Sequence, residues 1–355
     1  MKIREKEFEI YKDERPKVLL LGNGLCRAYG GISWDGLLDE IKDNETFPRR
    51  ASEYILPMPL KAAMLTNNSL AKKMRELVKR KGSQDSNEEK TRTDWSSFVK
   101  TTAEMRNCIR ELIIERFDYV LTTNYSYEIE AALLDEENLS ENKIESLQNY
   151  YEVNNAQTKF MINTFNFASD YPVWHIHGEA RKPDSMIIGN CYYGKLLRKC
   201  IERLDGISVI DEGKTREFSG KAREFIHNKS KEKPQKIGSW IDAFVLGDVF
   251  ILGLGMDFSE ADLWWLIDYK NNHPEFSGKT YFYEAKTDQS GVCVGDENIE
   301  CDKSKAFVSS KLCRNMLLRE VYGVDTRNLG CTIKNAETDY KAFYAAAIAG
   351  ILAEV

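Results

Sequence analysis

Four continuous apolar runs constrain the fold of this chain more than any other feature. They cover residues 16–22, 118–123, 171–177 and 248–255, each ends in glycine or polar residues, and helical patterns lie between them. Strands that are buried on both faces form unbroken apolar runs, and their alternation with helices is typical of a parallel sheet. The sequence therefore predicts an α/β fold, with a mostly parallel sheet covered by helices on both faces.

The composition limits the classes of protein to which the chain can belong. Of its 355 residues, 42% are hydrophobic and 30% charged, and the net charge is −6, which argues against a nucleic-acid-binding surface along the whole chain. No apolar signal region opens the sequence, and no apolar run approaches the roughly 20 residues that span a bilayer. We expect a soluble, cytoplasmic protein that contacts no membrane and nucleic acid at most indirectly.

The eight cysteines are scattered, without a C-x-x-C pair or a Cys/His cluster at zinc-binding spacing. Free thiols and no structural metal are the expectation for such a chain. Cys26 lies in a glycine-rich turn, where it either fills space or acts as a nucleophile. The first interpretation is favoured, because no partner histidine is identifiable nearby.

We predict one domain over residues 1–355 with three insertions and a helical C-terminal portion. The insertions cover about 41–94, 135–169 and 205–237, and the C-terminal portion starts at about 303. Within the third insertion, the charged stretch 211–237 is either a solvated loop or a partner contact. Two further strands are expected at 185–188 and 279–284.

Two strand-to-helix turns rich in glycine suggest a nucleotide site. Gly22, Asn23, Gly24 and Leu25 follow the first strand, and Gly253 and Gly255 follow the strand at 248–255. Glycine permits a tight turn and a close approach to pyrophosphate, and helix N-termini favour anions. The first turn departs from G-x-G-x-x-G, so a plain tight turn remains an alternative, but two such turns in one sheet can clasp a dinucleotide.

Asn124 and His177 follow two of the predicted strands, at the sheet edge where open α/β sheets bind ligands. A neutral imidazole acts as a general base near pH 7, and an amide can orient a ribose hydroxyl or a water molecule. His175 is two residues from His177 and is expected on the same strand face. His177 lies at the tip before Gly178 and is the preferred base, although a lone strand histidine is often a core residue.

Two alternatives concern neighbouring carboxylates. Asp262, one turn into the helix after Gly253 and Gly255, either belongs to the nucleotide site or interacts with the helix macrodipole. His175, His177 and Glu179 have metal-ligand spacing only if Gly178 does not end the strand. We therefore predict no metal.

The ordered motifs resemble the sirtuin-like NAD-binding family, and most closely the divergent bacterial branch found in antiphage-defence NAD hydrolases. They are 22–24, 32–35, 122–125, 177–178 and 253–256 with Asp262, and they span roughly residues 16–285. The resemblance implies a Rossmann-like fold that binds NAD across the carboxyl edge of the sheet.

The resemblance also implies roles for single residues. Asn124 would contact the nicotinamide ribose and the attacking water, and His177 would be the general base. The residues expected to bind NAD are Gly22, Asn23, Gly24 and Leu25 at the pyrophosphate, Ser33 and Trp34 on the nicotinamide side, Thr123 and Tyr125 beside Asn124, Gly253, Gly255, Met256 and Asp262 at the adenosine half, and Glu284 at the adenine ribose.

Three departures from the family pattern matter. No zinc ribbon is evident, which weakens a protein deacylase interpretation. Ser126 stands where the family usually has an aspartate. The separation of Asn124 and His177 is longer than in classical sirtuins, which fits an insertion at 135–169 that acts as a lid or an oligomer contact.

The function implied is hydrolysis of NAD to nicotinamide and ADP-ribose, as an effector of antiphage defence that depletes NAD. The alternatives are ADP-ribosyl transfer or deacylation, and a non-catalytic subunit that binds NAD or ADP-ribose. Since an unregulated NAD hydrolase would be toxic, we expect a homo-oligomer or a separate activating or regulatory subunit.

Overall fold

The structure is a computed structural model that describes residues 8–10, 15–30, 101–150, 160–211, 214–231, 233, 235–285, 303–329 and 336–355. The whole of the predicted insertion at 41–94 lies outside the described residues. Ser33 and Trp34 also lie outside them.

The described strands form one large sheet and two small ones. In chain order they are β1 (Phe8–Ile10), β2 (Lys17–Leu21), β3 (Tyr119–Thr122), β4 (Gln148–Tyr150), β5 (Thr164–Ala168), β6 (Tyr171–His175), β7 (Gly206–Asp211), β8 (Lys214–Ser219), β9 (Gln235–Ile237), β10 (Asp248–Leu252), β11 (Thr280–Ala285) and β12 (Asp325–Leu329).

The described helices connect these strands. They are α1 (Asn23–Ala28), α2 (Ala103–Ile113), α3 (Glu128–Leu134), α4 (Glu141–Leu147), α5 (Asn190–Leu204), α6 (Lys221–Ser230), α7 (Trp240–Leu246), α8 (Ala261–Asn272), α9 (Lys303–Glu320) and α10 (Ala336–Glu354), with a short 3₁₀ helix at Pro183–Ser185. None of these helices has the length and apolar character needed to cross a membrane.

The large sheet has the strand order β12-β11-β10-β2-β3-β6-β5-β4. The first six strands are parallel, and β5 and β4 add an antiparallel edge. Counted along the chain, the parallel strands follow the 3-2-1-4-5-6 order of doubly wound dinucleotide-binding sheets. The predicted mostly parallel, Rossmann-like sheet is confirmed, and its order reverses between β2 and β10.

Alternate side chains of β2, a central strand of the large sheet, pack into two separate cores. Val18 and Leu20 pack into one core with α5, α7 and α8, whereas Leu19 and Leu21 pack into the other with α1, α2, α3 and α10. All four of these side chains are fully buried. Helices therefore cover both faces, as the unbroken apolar run predicted.

The predicted insertions contain regular structure where they are described. In 135–169, β4 and β5 pair with each other and β5 pairs with β6, so this segment extends the large sheet. In 205–237, β7 and β8 form an antiparallel hairpin, and β9 pairs with β1.

Two details of the sequence prediction are wrong or incomplete. Residues 186–188 follow the 3₁₀ helix without forming a strand, although their side chains are buried. The C-terminal portion is helical as predicted, in α9 and α10, but β12 lies between these helices and pairs with β11. The polar sequence of β12 (DTRNL) gives no apolar signal for an edge strand.

A buried lysine connects α8 to the large sheet. The ammonium group of Lys270 donates hydrogen bonds to the main-chain oxygens of Phe244, Gly247 and Lys279 at 2.8–3.1 Å. Burial lowers the pKa of this lysine well below its ordinary value. These contacts hold the end of α7, the start of β10 and the start of β11 against α8.

Replacing Lys270 by Met should lower the free energy of unfolding by about 3 kcal/mol, because buried carbonyl groups lose their donors. Urea unfolding followed by circular dichroism measures the change. Lys229→Met, on an exposed lysine of α6, is the matched control and should have little effect. Equal stability of the two variants would contradict this role for Lys270.

Candidate functional site

The point where the strand order reverses places two loops side by side at the carboxyl edge of the sheet. The loop after β2 leads into α1 on one face, and the loop after β10 leads toward α8 on the other. Such a switch point opens a crevice, which is where sheets of this kind bind ligands. The turns after β3 and β6 lie at the same edge.

The two glycine-rich turns contact each other directly. The amide of Gly24 donates to the carbonyl of Gly253 at 2.7 Å, and the amide of Gly22 donates to the carbonyl of Leu252 at 2.9 Å. A Cβ atom on Gly22 or Gly24 would collide with the main chain of Gly253, which itself has a φ of +71°. The packing of the two turns therefore requires glycine at these positions, whether or not a nucleotide binds there.

His177 lies in the turn after β6 and is fully buried. Its Nε2 lies 3.0 Å from Oδ2 of Asp262, in the first turn of α8, and its Nδ1 lies 3.7 Å from Oε2 of Glu260. The rings of His177 and Tyr193 pack edge to face, with centroids 5.3 Å apart. We call His177, Glu260 and Asp262 the triad.

Three atoms of the triad have no hydrogen-bond partner within the described part of the chain: Nδ1 of His177, Oε2 of Glu260 and Oδ1 of Asp262. Buried polar atoms in folded proteins are nearly always satisfied, so a group of unsatisfied atoms indicates a place for water, an ion or a ligand. The triad is therefore a candidate site for water, an ion or a ligand.

The charges of the triad shift its pKa values. Burial alone lowers the pKa of His177, but the charge and hydrogen bond of Asp262 and the charge of Glu260 outweigh it, so the pKa is raised above 6.5. Burial raises the pKa of Glu260 to about 7; the charge of His177 opposes this rise, and those of Asp262 and Asp257 add to it. Glu260 can therefore exchange protons near neutral pH.

Asn124 lies in the turn after β3, the strand next to β6 in the sheet. Its main-chain amide donates to Oγ1 of Thr122 at 3.0 Å, and its side-chain amide donates to Sγ of Cys26 at 3.4 Å. Among the described residues, none donates to its side-chain oxygen. Thr122 of β3 pairs with His175 of β6. Asn124 and His177 each follow two residues after these paired residues, so they lie at the same edge of the sheet on neighbouring strands.

Cys26 is fully buried in α1, and burial raises the pKa of its thiol well above the ordinary value, with Glu128 adding to the rise. A nucleophilic cysteine needs a lowered pKa and access to substrate. The geometry therefore supports the interpretation of Cys26 as a packing residue, which also holds the amide of Asn124.

His175 and His177 have different partners, contrary to our expectation that they share a strand face. Nδ1 of His175 lies 2.7 Å from the main-chain oxygen of Asn124, and its Nε2 lies 2.8 Å from Oε1 of Glu130 in α3. Strand β6 ends at His175, and Gly178, with a φ of +88°, completes the turn. The chain turns between the two histidines, which is why they contact helices on opposite faces of the sheet.

The pKa of His175 is raised to about 9. Burial lowers it, but the charge and hydrogen bond of Glu130, the charge of Glu179 and the main-chain oxygen of Asn124 together raise it further. At neutral pH both ring nitrogens are then protonated and donate, one to Glu130 and one to Asn124. His175 thus positions the main chain of Asn124 from inside the protein.

Ser126, which stands where the family pattern has an aspartate, contacts the carboxylate of another residue. The hydroxyl of Ser126 donates a short hydrogen bond to Oε2 of Glu128, at the start of α3. Burial raises the pKa of Glu128 to about 7, although the hydrogen bonds from Ser126 and from its own main chain lower it. A carboxyl group is therefore present two residues further along the chain than the pattern predicts.

The structure places the other predicted NAD-binding residues in several environments. The side chains of Leu25 and Met256 are fully buried in the two cores, which leaves their main-chain groups as the parts able to contact a ligand. Thr123 is buried beside Asn124, and the hydroxyl of Tyr125 donates to the carbonyl of Ile187 at 3.0 Å. Asn23 begins α1, and Gly255 lies exposed in the loop after β10.

Glu284 lies near the end of β11 and is bound to α9. Its carboxylate pairs with Lys311 at 3.1 Å and with Arg314, and accepts a hydrogen bond from Asn315 at 2.7 Å. Arg314 also donates to the carbonyl of Gly255. Burial opposes ionisation, but the positive charges of Arg314 and Lys311 outweigh it and lower the pKa of Glu284. Glu284 thus holds α9 against β11, and Arg314 holds α9 against the loop after β10.

A metal ion could be held by the triad, whose ligand atoms lie within 4.8 Å of one another. Within the described residues, His175, His177 and Glu179 do not form such a group, because Glu179 instead accepts hydrogen bonds from Gln148 and Asn166.

Sequence reasoning missed Glu260, Glu130, Glu128 and Tyr193. Glu260 precedes Asp262 by two residues at the helix start, which was a usable signal. Glu130 is separated from His175 by 45 residues and Tyr193 from His177 by 16, so neither contact has a local sequence pattern.

Comparison with protein-family models gives no match to this chain, and comparison with curated protein sequences also gives none. The sirtuin-like resemblance therefore stays a prediction from the motifs.

Replacing Glu130 by Gln should lower the pKa of His175 from about 9, because burial then acts with less opposition. The folded-state pKa of His175 is above 6.5, so its contribution to stability is fully present below that pH and is lost as the pH rises through about 9. The loss of stability in Glu130→Gln should accordingly be largest below pH 6.5, on the order of 3 kcal/mol, and shrink above pH 9.

Urea unfolding across this pH range, with NMR titration of the imidazole, measures both effects. Glu104→Gln, on an exposed carboxylate of α2, is the control. A loss of stability that is the same at every pH would contradict the pairing of His175 with Glu130.

Proposed function

We propose that the protein hydrolyses NAD to nicotinamide and ADP-ribose. The observation that supports this most is the buried imidazole of His177, which is oriented by Asp262 and keeps Nδ1 without a partner among the described residues. It lies at the edge of a doubly wound sheet, where dinucleotides bind in this architecture. The order of the motifs around it is the second support.

Asp262 determines which ring nitrogen of His177 can act as the base. An ionised carboxylate can only accept hydrogen bonds, so Nε2 carries the proton that it donates to Asp262. In the neutral imidazole Nδ1 then holds the free lone pair. The pair follows the logic of the Asp–His pair in serine hydrolases, where the carboxylate orients the imidazole and stabilises its protonated form.

The reaction needs a base because water must lose a proton. The bond between nicotinamide and ribose breaks, nicotinamide leaves as a neutral molecule, and the ribose carbon develops oxocarbenium character. Water forms the new C–O bond and transfers one proton to Nδ1 of His177. Positioned general bases of this kind contribute about 10²–10⁴-fold to rates.

Glu260 can return that proton to solvent. Its Oε2 lies 3.7 Å from Nδ1 of His177, its side chain is 16% exposed, and its pKa is about 7. A carboxyl group with this pKa accepts and releases protons readily at neutral pH. Glu260, the partly exposed member of the triad, is thus a second proton acceptor beside the buried base.

Asn124 suits the binding of the ribose or the attacking water. Its side-chain amide is occupied by Cys26, and the main chain on either side is held by Thr122 and His175. The side-chain oxygen then remains as an acceptor for a hydroxyl group or water. Such pre-organised acceptors need little rearrangement when the substrate binds.

The wider role that we propose is that of a cytoplasmic effector of antiphage defence that depletes NAD and acts as an oligomer or with a regulatory subunit. Its support is the resemblance of the motifs alone.

His177→Ala and Asn124→Ala should each lower the rate of nicotinamide release by at least about 10²-fold, because the base or the substrate contact is removed. Chromatographic quantification of nicotinamide from the purified protein with NAD measures the rate. His273→Ala changes a histidine at the C-terminal end of α8 and is the matched control. Full activity of His177→Ala would refute the proposal.

The pH dependence tests the role of Asp262. His177 acts as a base only when deprotonated, so wild-type kcat/KM should rise with pH through its raised pKa. Asp262→Asn removes the charge that raises this pKa, so the acidic limb should move to lower pH while the maximal rate falls. An acidic limb at the wild-type pH in Asp262→Asn would show that Asp262 does not control the base.

A further inference from the structure

The unsatisfied atoms of the triad support a second ligand besides the proposed substrate. His177 and Asp262 are fully buried, and each has one polar atom without a hydrogen-bond partner in the described residues, as does the partly buried Glu260. Buried charges are normally paired or bound to metals.

We propose that the triad binds one divalent cation of the Mn²⁺ class. Its ligand atoms lie within 4.8 Å of one another, and Nε2 of His177 is already 3.0 Å from Oδ2 of Asp262. Ligands at about 2.1 Å from a metal lie about 3–4 Å from each other, so only small side-chain shifts are needed. The cation takes the place of the proton that His177 shares with Asp262.

The donor set selects the kind of metal. One imidazole nitrogen and two carboxylate oxygens suit Mn²⁺ and Zn²⁺, whereas Ca²⁺ requires six to eight oxygen ligands. The site contains no thiolate, because the triad has no cysteine and the buried Cys200 has a raised pKa. Water or a substrate oxygen would complete the coordination of a metal with three protein ligands.

The surroundings of the triad leave enough negative charge for a cation. The N-terminus of α8 contributes roughly +0.5 elementary charge, which opposes a cation but is smaller than the charge of the two carboxylates. The nearby positive charge of Arg314 is paired with Glu284. The positive charge of Arg314 is therefore already matched by a carboxylate outside the triad.

Glu260 and Asp262 are held at one place by the start of α8. Glu260 is the N-cap residue, Asp262 follows in the first turn, and the loop before them is fixed by the buried side chain of Met256. A set of ligands on a rigid element loses little entropy when it binds a metal.

Metal binding and general-base catalysis exclude each other at His177, because a neutral imidazole that coordinates a cation through Nε2 carries its one proton on Nδ1, which then has no lone pair to accept another. This consequence rests on the proposed hydrolysis of NAD, but the binding of the cation does not. A cation at the triad would then inhibit the reaction rather than assist it.

Titration of the metal-free full-length protein with Mn²⁺ alone tests the site. Loss of the free Mn²⁺ signal in electron paramagnetic resonance measures binding without NAD, and the cysteines interfere less than they would with Zn²⁺. We expect one Mn²⁺ per chain. Glu260→Gln and Asp262→Asn should each weaken binding by at least about 10-fold, whereas the control His273→Gln should not change it.

The inference is overturned if Mn²⁺ does not bind with a Kd below about 1 mM, or if both carboxylate variants bind as the wild type does. Glu260→Gln keeps the size of a partly exposed side chain, so it decides the question even if Asp262→Asn fails to fold. Because no step of the titration uses NAD, the two proposals fail separately: a protein that binds Mn²⁺ but releases no nicotinamide when it is assayed free of metal would refute the proposed function and leave the metal site supported.

Discussion

The pairing of β2 with β10 on one side and β3 on the other is the interaction on which the rest of the structure depends. Strand β2 is parallel to both neighbours, and its residues Val18–Leu21 are fully buried between two cores. Since α1 and α8 leave this centre toward opposite faces, a crevice forms where the strand order reverses. The glycine turns that meet there follow from this pairing, as does the position of α8 beside the turn after β6.

The sequence predicts the central elements well because they are buried on both faces. The runs that became β2, β3, β6 and β10 are apolar without interruption, and such a pattern has few alternative explanations. The edge strands carry no such signal: β12 is polar and β4 and β5 lie in an Asn-rich segment, so their strand structure depends on pairing with a neighbour that is far along the chain. Edge pairing is a tertiary property that local patterns do not encode.

The residues of the candidate site also differ in how far the sequence predicts their positions. Asn124 and His177 could be placed at one edge of the sheet from the sequence, because both follow apolar strands. The pairing of His177 with Asp262 could not be predicted in this way. Asp262 is 85 residues away along the chain, and only the order of the strands brings it close. The separate environments of His175 and His177 also depend on the turn at Gly178, which overrides the two-residue periodicity of a strand.

A proton and a cation compete for the same imidazole, that of His177. Asp262 increases the proton affinity of His177 through the same charge that attracts a cation, so a change that strengthens the base also strengthens the metal ligand. Glu260 differs, because it lies on the Nδ1 side, is partly exposed and titrates near neutral pH. Glu260 and Asp262 therefore face different nitrogens of one imidazole, and only Asp262 lies close enough to orient the ring through a hydrogen bond.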